Sequence, residues 1–254
     1  VKDFLHPDRV VIGTRTQKAI DVIGEVYRPL YINETPIIST TVETAEMIKY
    51  AANAFLSLKI SYINEIANLC EAVGADVQDV ARAMGLDGRI SAKFLHPGPG
   101  YGGSCFPKDT HALAATGQKN RSPLLTVEAA IKTNASQKVR MIDKLKRLIG
   151  GSFKGKTVAV LGLAFKPQTD DVREAASIVI VSNLAESGAT VQAYDPIAMD
   201  NFKNHFPKNR VETAVWISKK TKHLISINNH ITDFNIFKLF RSILIVFLDC
   251  SSLI

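Results

Sequence analysis

Residues 41–73 carry apolar side chains at helical spacing with no turn signal among them. Met47, Ala51, Ala54, Phe55, Leu58, Tyr62 and Ile66 follow one another mostly at three- and four-residue steps. Thr40 and Glu43 spell a capping box ahead of the run, and Gly74 stands where it should stop. A helix of this extent is far longer than the usual about 11 to 12 residues. It calls for a partner along much of its length, so the rest of the chain has to be arranged around it.

The flanks read differently from this middle. Asp8 to Gly13 reads as a short strand, Thr16 to Tyr27 as a helix with Ala19, Ile20, Ile23 and Tyr27 on one face, and Pro36 to Ser39 as a second strand. One such α/β unit is too small to bury a core of its own. Further helices are expected over Asp76 to Met84, capped by Asp76 and stopped by Gly85, and over residues 109–116. Another is expected over residues 123–149, with Leu125, Ala129, Val139, Ile142, Leu145 and Leu148 as apolar markers. Gly150 and Gly151 then mark a boundary. Thr157 to Leu161 is a near-continuous apolar run, as a buried parallel strand requires. A turn through Gly162 to Pro167, a helix over Arg173 to Glu186 and a strand over Thr190 to Tyr194 follow, ending in Asp195. This imitates a dinucleotide fold, but Ala164, Lys166 and Pro167 stand where its later glycines belong. The chain therefore reads as α/β in three parts: an α/β piece over 1–40, an all-helical part over 41–150 and a second α/β domain over 151–254.

Composition narrows the classes. Of 254 residues, 46% are hydrophobic and 22% charged, an ordinary globular balance. No apolar run reaches the about 18 to 20 residues of a membrane helix, and the longest, Ile243 to Leu248, has strand length. No membrane partner is expected. The net charge of +7 raises nucleic acid as a partner. Lys and Arg are scattered, however, and no aromatic-basic motif accompanies them, so we expect no nucleic acid. A diphosphate ligand accounts for local positive charge equally well. Three cysteines, Cys70, Cys105 and Cys250, make no disulfide framework, and no signal peptide is read ahead of Val1. Both suggest a cytoplasmic setting. No metal site is read.

The chemistry concentrates in Gly98-Pro99-Gly100-Tyr101-Gly102-Gly103-Ser104-Cys105-Phe106-Pro107-Lys108-Asp109. Four glycines fall within six positions, then a cysteine precedes a helix. Dense glycine serves unusual backbone angles or a close approach to a ligand. A thiol just before a helix N-terminus is activated as a nucleophile. The same residues would also suit a tight turn with an incidental cysteine. As a dozen consecutive residues, the segment resembles the active-site segment of UDP-glucose 6-dehydrogenases, within the nucleotide-sugar dehydrogenase family. The Phe-Pro-Lys-Asp ending and Tyr101 are similar to the UDP-glucose branch rather than the GDP-mannose or UDP-N-acetylhexosamine branches. The segment EMIKYAANAFLSLKISYINEI, within residues 46–66, and the segment FKPQTDDVRE, residues 165–174, are similar as well.

The resemblance implies a set of roles. Cys105 would be the catalytic nucleophile, with Lys49 and Asn53, i and i+4 on the long helix, facing the substrate's C6. Asp109 would orient water or act as a base. Arg89 would reach the substrate of a neighbouring subunit, and Phe94, Gly98, Tyr101, Gly102 and Lys166 would line the nucleotide-sugar site. Lys108 and Arg173 would contact NAD. Asn64, on nearly the same helix face as Lys49 and Asn53, is read as structural. The implied fold is the end of an NAD-binding Rossmann domain, a central helical domain that dimerises along its long helix, and a Rossmann-like UDP-binding domain. The implied reaction is NAD-dependent four-electron oxidation of UDP-glucose to UDP-glucuronate. The family's glycine-rich dinucleotide turn, ribose-binding acid and catalytic glutamate do not precede residues 8–39. The chain therefore reads as a fragment, inactive alone. The alternatives are a non-catalytic dimerising UDP-sugar-binding module and a dehydrogenase for GDP-mannose or a UDP-N-acetylhexosamine. After about residue 211 the resemblance fades into a stretch rich in Ile, Asn, Lys and Phe, where Ser251 follows Asp249 in place of an expected arginine. We read a shifted reading frame or a decayed tail, and expect the second α/β domain to lose strands from its sheet.

Overall fold

The computed structural model describes residues 6–29, 35–206, 212–213 and 243–247. The chain forms two compact units, Val1–Phe55 and Leu56–Ile254.

In the first unit, β1 (Val10–Gly13) and β2 (Ile37–Thr40) pair in parallel, Val10 opposite Ile37 through Gly13 opposite Thr40. Parallel pairing needs a crossover, which α1 (Gln17–Tyr27) supplies. Thr16 caps α1, its hydroxyl accepting from the Ala19 N–H at 3.3 Å. Val10 and Ile12 are buried with Tyr27 and Ile37 against them, a small core as the sequence suggests. The long helix α2 (Val42–Val73) begins in this unit. Its cap differs from the expected one: β2 runs through Thr40, and Thr41 accepts from the Thr44 N–H at 3.2 Å. Glu43 also pairs with Arg15 at 2.7 Å.

The remainder of α2 and all that follows build the second unit. Gly74, with φ +75°, ends α2 in the left-handed conformation. Ile63 packs with Ala81 and Leu95, joined by Ile66, Val77 and Met84. Ala81 and Met84 lie on α3 (Val77–Leu86), which Asp76 caps as expected. Gly85 does not stop this helix. A Cβ there would lie 2.8 Å from Ala92, so the glycine admits the crossing chain. Helix α4 (Phe106–Lys119) starts three residues before the expected position, and α5 spans Leu125–Leu148. Of the apolar markers on α5, Ile142 and Leu145 are buried, whereas Leu125, Val139 and Leu148 are exposed. The buried face carries Ala130, Asn134, Gln137 and Lys138 in their place.

Strands β3 (Thr157–Leu161), β4 (Thr190–Tyr194), β5 (Glu212–Thr213) and β6 (Ile243–Phe247) make a parallel sheet in the order β5-β4-β3-β6. Helix α6 (Ala176–Glu186) links β3 to β4, and α7 (Met199–Lys203) follows β4. The main core joins Val158, Val160, Ile180, Val181, Leu184, Val191, Phe153 and Phe202 with Ile142 and Leu145 of α5. The divergent stretch does contribute backbone to the sheet: β6 pairs with β3 from Thr157 opposite Ile243 to Leu161 opposite Phe247. Asp249, Cys250 and Ser251 lie outside the described residues.

Candidate active site

Cys105 is the N-cap of α4 and is exposed. Pro107 sits in the first helical turn, where a missing N–H is harmless. The Cys105 carbonyl accepts from the Asp109 N–H at 2.9 Å. Cys105 therefore stands at the positive end of the α4 dipole, which favours negative charge, and its side chain makes no capping hydrogen bond. Ser104 Oγ lies 3.9 Å from its Sγ.

The glycine loop before Cys105 is held from three sides. Asn64 of α2, wholly buried, accepts the Gly98 N–H at 2.7 Å. Its structural reading holds. From α5, Gln137 donates to the Gly98 carbonyl at 2.9 Å, while Asn134 accepts the Tyr101 N–H at 2.7 Å and donates to the Tyr101 carbonyl at 3.1 Å. Asn68 of α2 donates to Gln137 at 2.9 Å, fixing its amide. On the third side the Gly103 N–H donates to the Arg173 carbonyl at 2.8 Å. The glycines are explained by these contacts. A Cβ on Gly102 would lie 2.3 Å from the Glu174 carbonyl oxygen, and one on Gly103, at φ +83°, 2.7 Å from the Phe165 ring. At these two positions the absent Cβ admits a close approach of protein.

The predicted residues fall into several places. Tyr101 is 2% exposed and forms the floor under α4, its ring edge-on to Phe106 at 5.8 Å. Burial pushes its phenol pKa up, against hydrogen bonds with Ser57 and Thr110. Phe94 meets the same Phe106 ring at 5.9 Å. Asp109 is wholly buried and paired with Lys108, whose side chain is largely exposed. Arg173 is exposed and forked onto Asp171, with Nε to Oδ1 at 2.9 Å and Nη2 to Oδ2 at 2.7 Å. That pairing raises the Arg173 pKa. The same pairing lowers the Asp171 carboxyl. Lys166 lies over Phe165 at 5.5 Å from its centroid, and it also acts on Asp171. Arg89 stands apart on a turn, bound to Asp87 at 2.6 Å. Lys49 and Asn53 belong to the first unit, one turn apart on α2, with Lys49 5.8 Å from the Tyr50 ring centroid.

Sequence reasoning missed the polar residues that hold these groups. Asn134, Gln137 and Lys138 share one buried face of α5 at i, i+3 and i+4 spacing. Polar residues interrupting a helix's apolar stripe were the available signal. Lys59 was missed too; its ammonium donates to the carbonyls of Ile90 at 3.0 Å and Ser91 at 3.1 Å, and to that of Lys93. It thereby ties down the turn that follows Arg89. Asp195, at the end of β4, was read as the acid of a dinucleotide-like pattern. It accepts instead from the N–H groups of Leu163, Ala164, Ile197 and Ala198 and braces its own loops.

Residues 43–136 match the central domain of the UDP-glucose/GDP-mannose dehydrogenase family, and residues 159–239 match that family's UDP-binding domain. The chain belongs to the UDP-glucose/GDP-mannose dehydrogenase family. It is 54% identical over 203 residues to the UDP-glucose 6-dehydrogenase of Rhizobium meliloti, covering 79% of this chain and 46% of the relative. It is 52% identical over 199 residues to the UDP-glucose 6-dehydrogenase TuaD of Bacillus subtilis, covering 78% and 42%. Among solved structures, a UDP-glucose dehydrogenase from the hyperthermophilic archaeon Pyrobaculum islandicum aligns with a TM-score of 0.79 at 38% identity, over 83% of this chain and 48% of that one. The chain spans about half the length of these relatives. The helical middle and the α/β domain that follows it are thus those of the dehydrogenase family. Among the described residues, no helix is long and apolar enough to cross a membrane.

Proposed function

We propose that this chain carries the nucleophile and the nucleotide-sugar side of an enzyme that oxidises UDP-glucose to UDP-glucuronate. The observation that carries the reading is Cys105, an exposed thiol at the N-terminus of α4 on a loop bound from three sides. A primary alcohol is oxidised to an aldehyde by hydride loss alone. An aldehyde has no hydride ready to leave until a nucleophile adds to it. The Cys105 thiolate adds to the aldehyde carbon to give a thiohemiacetal, hydride loss gives a thioester, and water releases the carboxylic acid and the thiol. Lys49, as a cation, and Asn53, as a hydrogen-bond donor, would steady the negative oxygen of these stages. Arg89 would meet the substrate of a neighbouring subunit. Lys166, Phe94 and the loop backbone through Gly98, Tyr101 and Gly102 would face the nucleotide-sugar, and Asp109 would orient water.

The exposed guanidinium of Arg173, beside Asp171, suits one phosphate of a dinucleotide, and Lys108 adds a second exposed cation. Arg173 and Lys108 would thus hold NAD+, which would supply the hydride acceptor for both oxidations. We further propose that α2 joins two copies of the protein. Its exposed Phe55, Tyr62 and Leu69, spaced by sevens, support this.

A UDP-glucose assay with NAD+ on a full-length protein that contains this chain tests the reading. Appearance of two NADH per UDP-glucose is expected, and Cys105→Ser abolishes acid formation. Acid formation by the serine variant at the parent rate would rule out the covalent route. Lys49→Ala lowers kcat more than it raises KM; a pure KM effect would remove its oxyanion role. The half-length match favours a second reading for the 254 residues by themselves, a UDP-sugar-binding module without turnover. NADH formation by the isolated chain would overturn that reading.

A further inference from the structure

Lys59, on the part of α2 that belongs to the second unit, gives its ammonium to backbone. It donates to the Ile90 carbonyl at 3.0 Å, to the Ser91 carbonyl at 3.1 Å and to the Lys93 carbonyl. An ammonium has three N–H donors, so all of them are used. Its pKa is lowered by burial alone, and no carboxylate among the described residues pairs with it. Carbonyl oxygens converging on one positive centre are how a protein replaces the water around K+. The turn thus presents a cradle for a monovalent cation, and the chain fills it from its own helix.

The turn needs such a tie. Ser91 at φ +67° and Phe94 at φ +66° both hold a left-handed conformation that non-glycine side chains disfavour. At the start of the turn, the Asp87 carbonyl accepts from the Ile90 N–H at 2.9 Å and from the Ser91 N–H at 3.0 Å. The Asp87 carboxylate is forked by the Arg89 guanidinium, Nε to Oδ1 at 3.0 Å and Nη2 to Oδ2 at 2.6 Å. Arg89 is therefore held inside the hydrogen-bonded turn, with its side chain 90% exposed. At the far end, Phe94 packs on the ring of Phe106, the residue after Cys105. Lys59 grips the carbonyls between these two ends and so registers the turn against α2.

We propose that Lys59 is a positioning residue: its ammonium fills a monovalent-cation cradle in the 90–93 turn and thereby holds Arg89 in a fixed place on α2. It touches no substrate. The purpose of the clamp rests on the proposed role of Arg89 toward a neighbour's substrate, whereas the clamp itself is tested without substrate.

The test is digestion of the folded 254-residue chain by trypsin, followed by mass spectrometry. Trypsin cuts after Arg89 and after Lys93, and the Lys93 carbonyl is one that Lys59 holds, so cleavage there requires the clamp to open. The cut after Arg121, on a separate turn, is the reference. Lys59→Met keeps the stem and removes the ammonium. It is expected to speed the cut after Lys93 several-fold and to leave the cut after Arg121 unchanged. Ammonium chloride restores most of the parent rate. Choline chloride at equal ionic strength, whose cation is too large for the cradle, does not. If Lys59→Met does not fold, as judged by circular dichroism, Lys59→Gln carries the same comparison. Equal speeding of both cuts, an unchanged cut after Lys93, or equal rescue by the two salts would overturn the proposal. In a full-length protein that contains this chain, Lys59→Met is expected to raise KM for UDP-glucose several-fold and to add nothing in the Arg89→Ala background. Additive effects would overturn the link to Arg89. A parent protein without UDP-glucose turnover would overturn the functional reading instead, and the digestion alone would then decide on Lys59.

Discussion

Asp195 shows how one residue can be legible in kind and misread in role. Burial alone would raise its pKa, but hydrogen bonds from the N–H groups of Leu163, Ala198, Ile197 and Ala164 lower it overall. Its folded value therefore lies below the unfolded one, near 3.9. The stabilisation is complete above the unfolded value and is lost as pH falls through the folded value. Asp195→Asn removes the charge and turns one acceptor atom into a donor facing N–H groups. We expect a loss of about 2 to 3 kcal/mol near neutral pH, because hydrogen bonds to a charged acceptor are worth about 1.5 to 3 each. Urea titration of both proteins from pH 7 to pH 3 checks this: the gap should narrow on the acid side, and a constant gap would mean the carboxylate is not the source. The acid at the end of β4 was visible in the sequence. Of its four donors, Ile197 and Ala198 are its near neighbours, whereas Leu163 and Ala164 come from a turn that only the folded chain brings to it.

At the scale of the element, two helical glycines separate propensity from packing. Gly24 lies inside α1 with nothing within 4 Å of a built Cβ. Gly24→Ala should stabilise by up to about 1 kcal/mol, the difference in helix propensity. Gly85 also lies inside a helix, α3, but its Cβ would press on Ala92 at 2.8 Å, backbone included. Overpacking costs about 1 to 3 kcal/mol and outweighs the propensity gain. Gly85→Ala should therefore destabilise. Denaturation midpoints of opposite sign check the pair; stabilisation by both would show that the 90–93 turn yields despite its tie to Lys59. Periodicity located nearly every helix and every strand between residues 10 and 194, because burial of one face writes itself into the sequence. It placed ends less well. The box at Thr40 gave way to Thr41 once β2 took Thr40, and Arg173 to Ala175 left α6 to become the strap on the glycine loop. On α5 the apolar count found the buried Ile142 and Leu145 but missed the N-terminal part of the face, which binds a loop and uses Asn134, Gln137 and Lys138 to do so.

At the scale of the whole molecule, α2 leaves a row of large apolar side chains in water. Phe55 is 62% exposed, Tyr62 48% and Leu69 58%, with Val73 at 67% one turn further on. The buried residues Ile60, Ile63, Asn64, Ala67 and Cys70 occupy the intervening positions and already have partners within the chain. The exposed row repeats at seven residues, the spacing of a seam between two helices. Fully burying one such side chain contributes about 1.5 to 3 kcal/mol, so a few of them on each copy offset the several kcal/mol or more that association requires. A second copy of the same helix supplies a matching row by two-fold symmetry. We expect the protein to sediment as a dimer at micromolar concentration, and Tyr62→Glu combined with Leu69→Glu to sediment as a monomer with an unchanged far-ultraviolet spectrum. Both substitutions lie at exposed positions, so the fold of one copy tolerates them, whereas a paired seam places like charges together in a dry interface. A parent protein that remains monomeric at tens of micromolar, or a double variant that still dimerises, would remove α2 as the seam. It would also remove the route by which Arg89 is proposed to serve a neighbour's substrate, since that role requires two copies to meet.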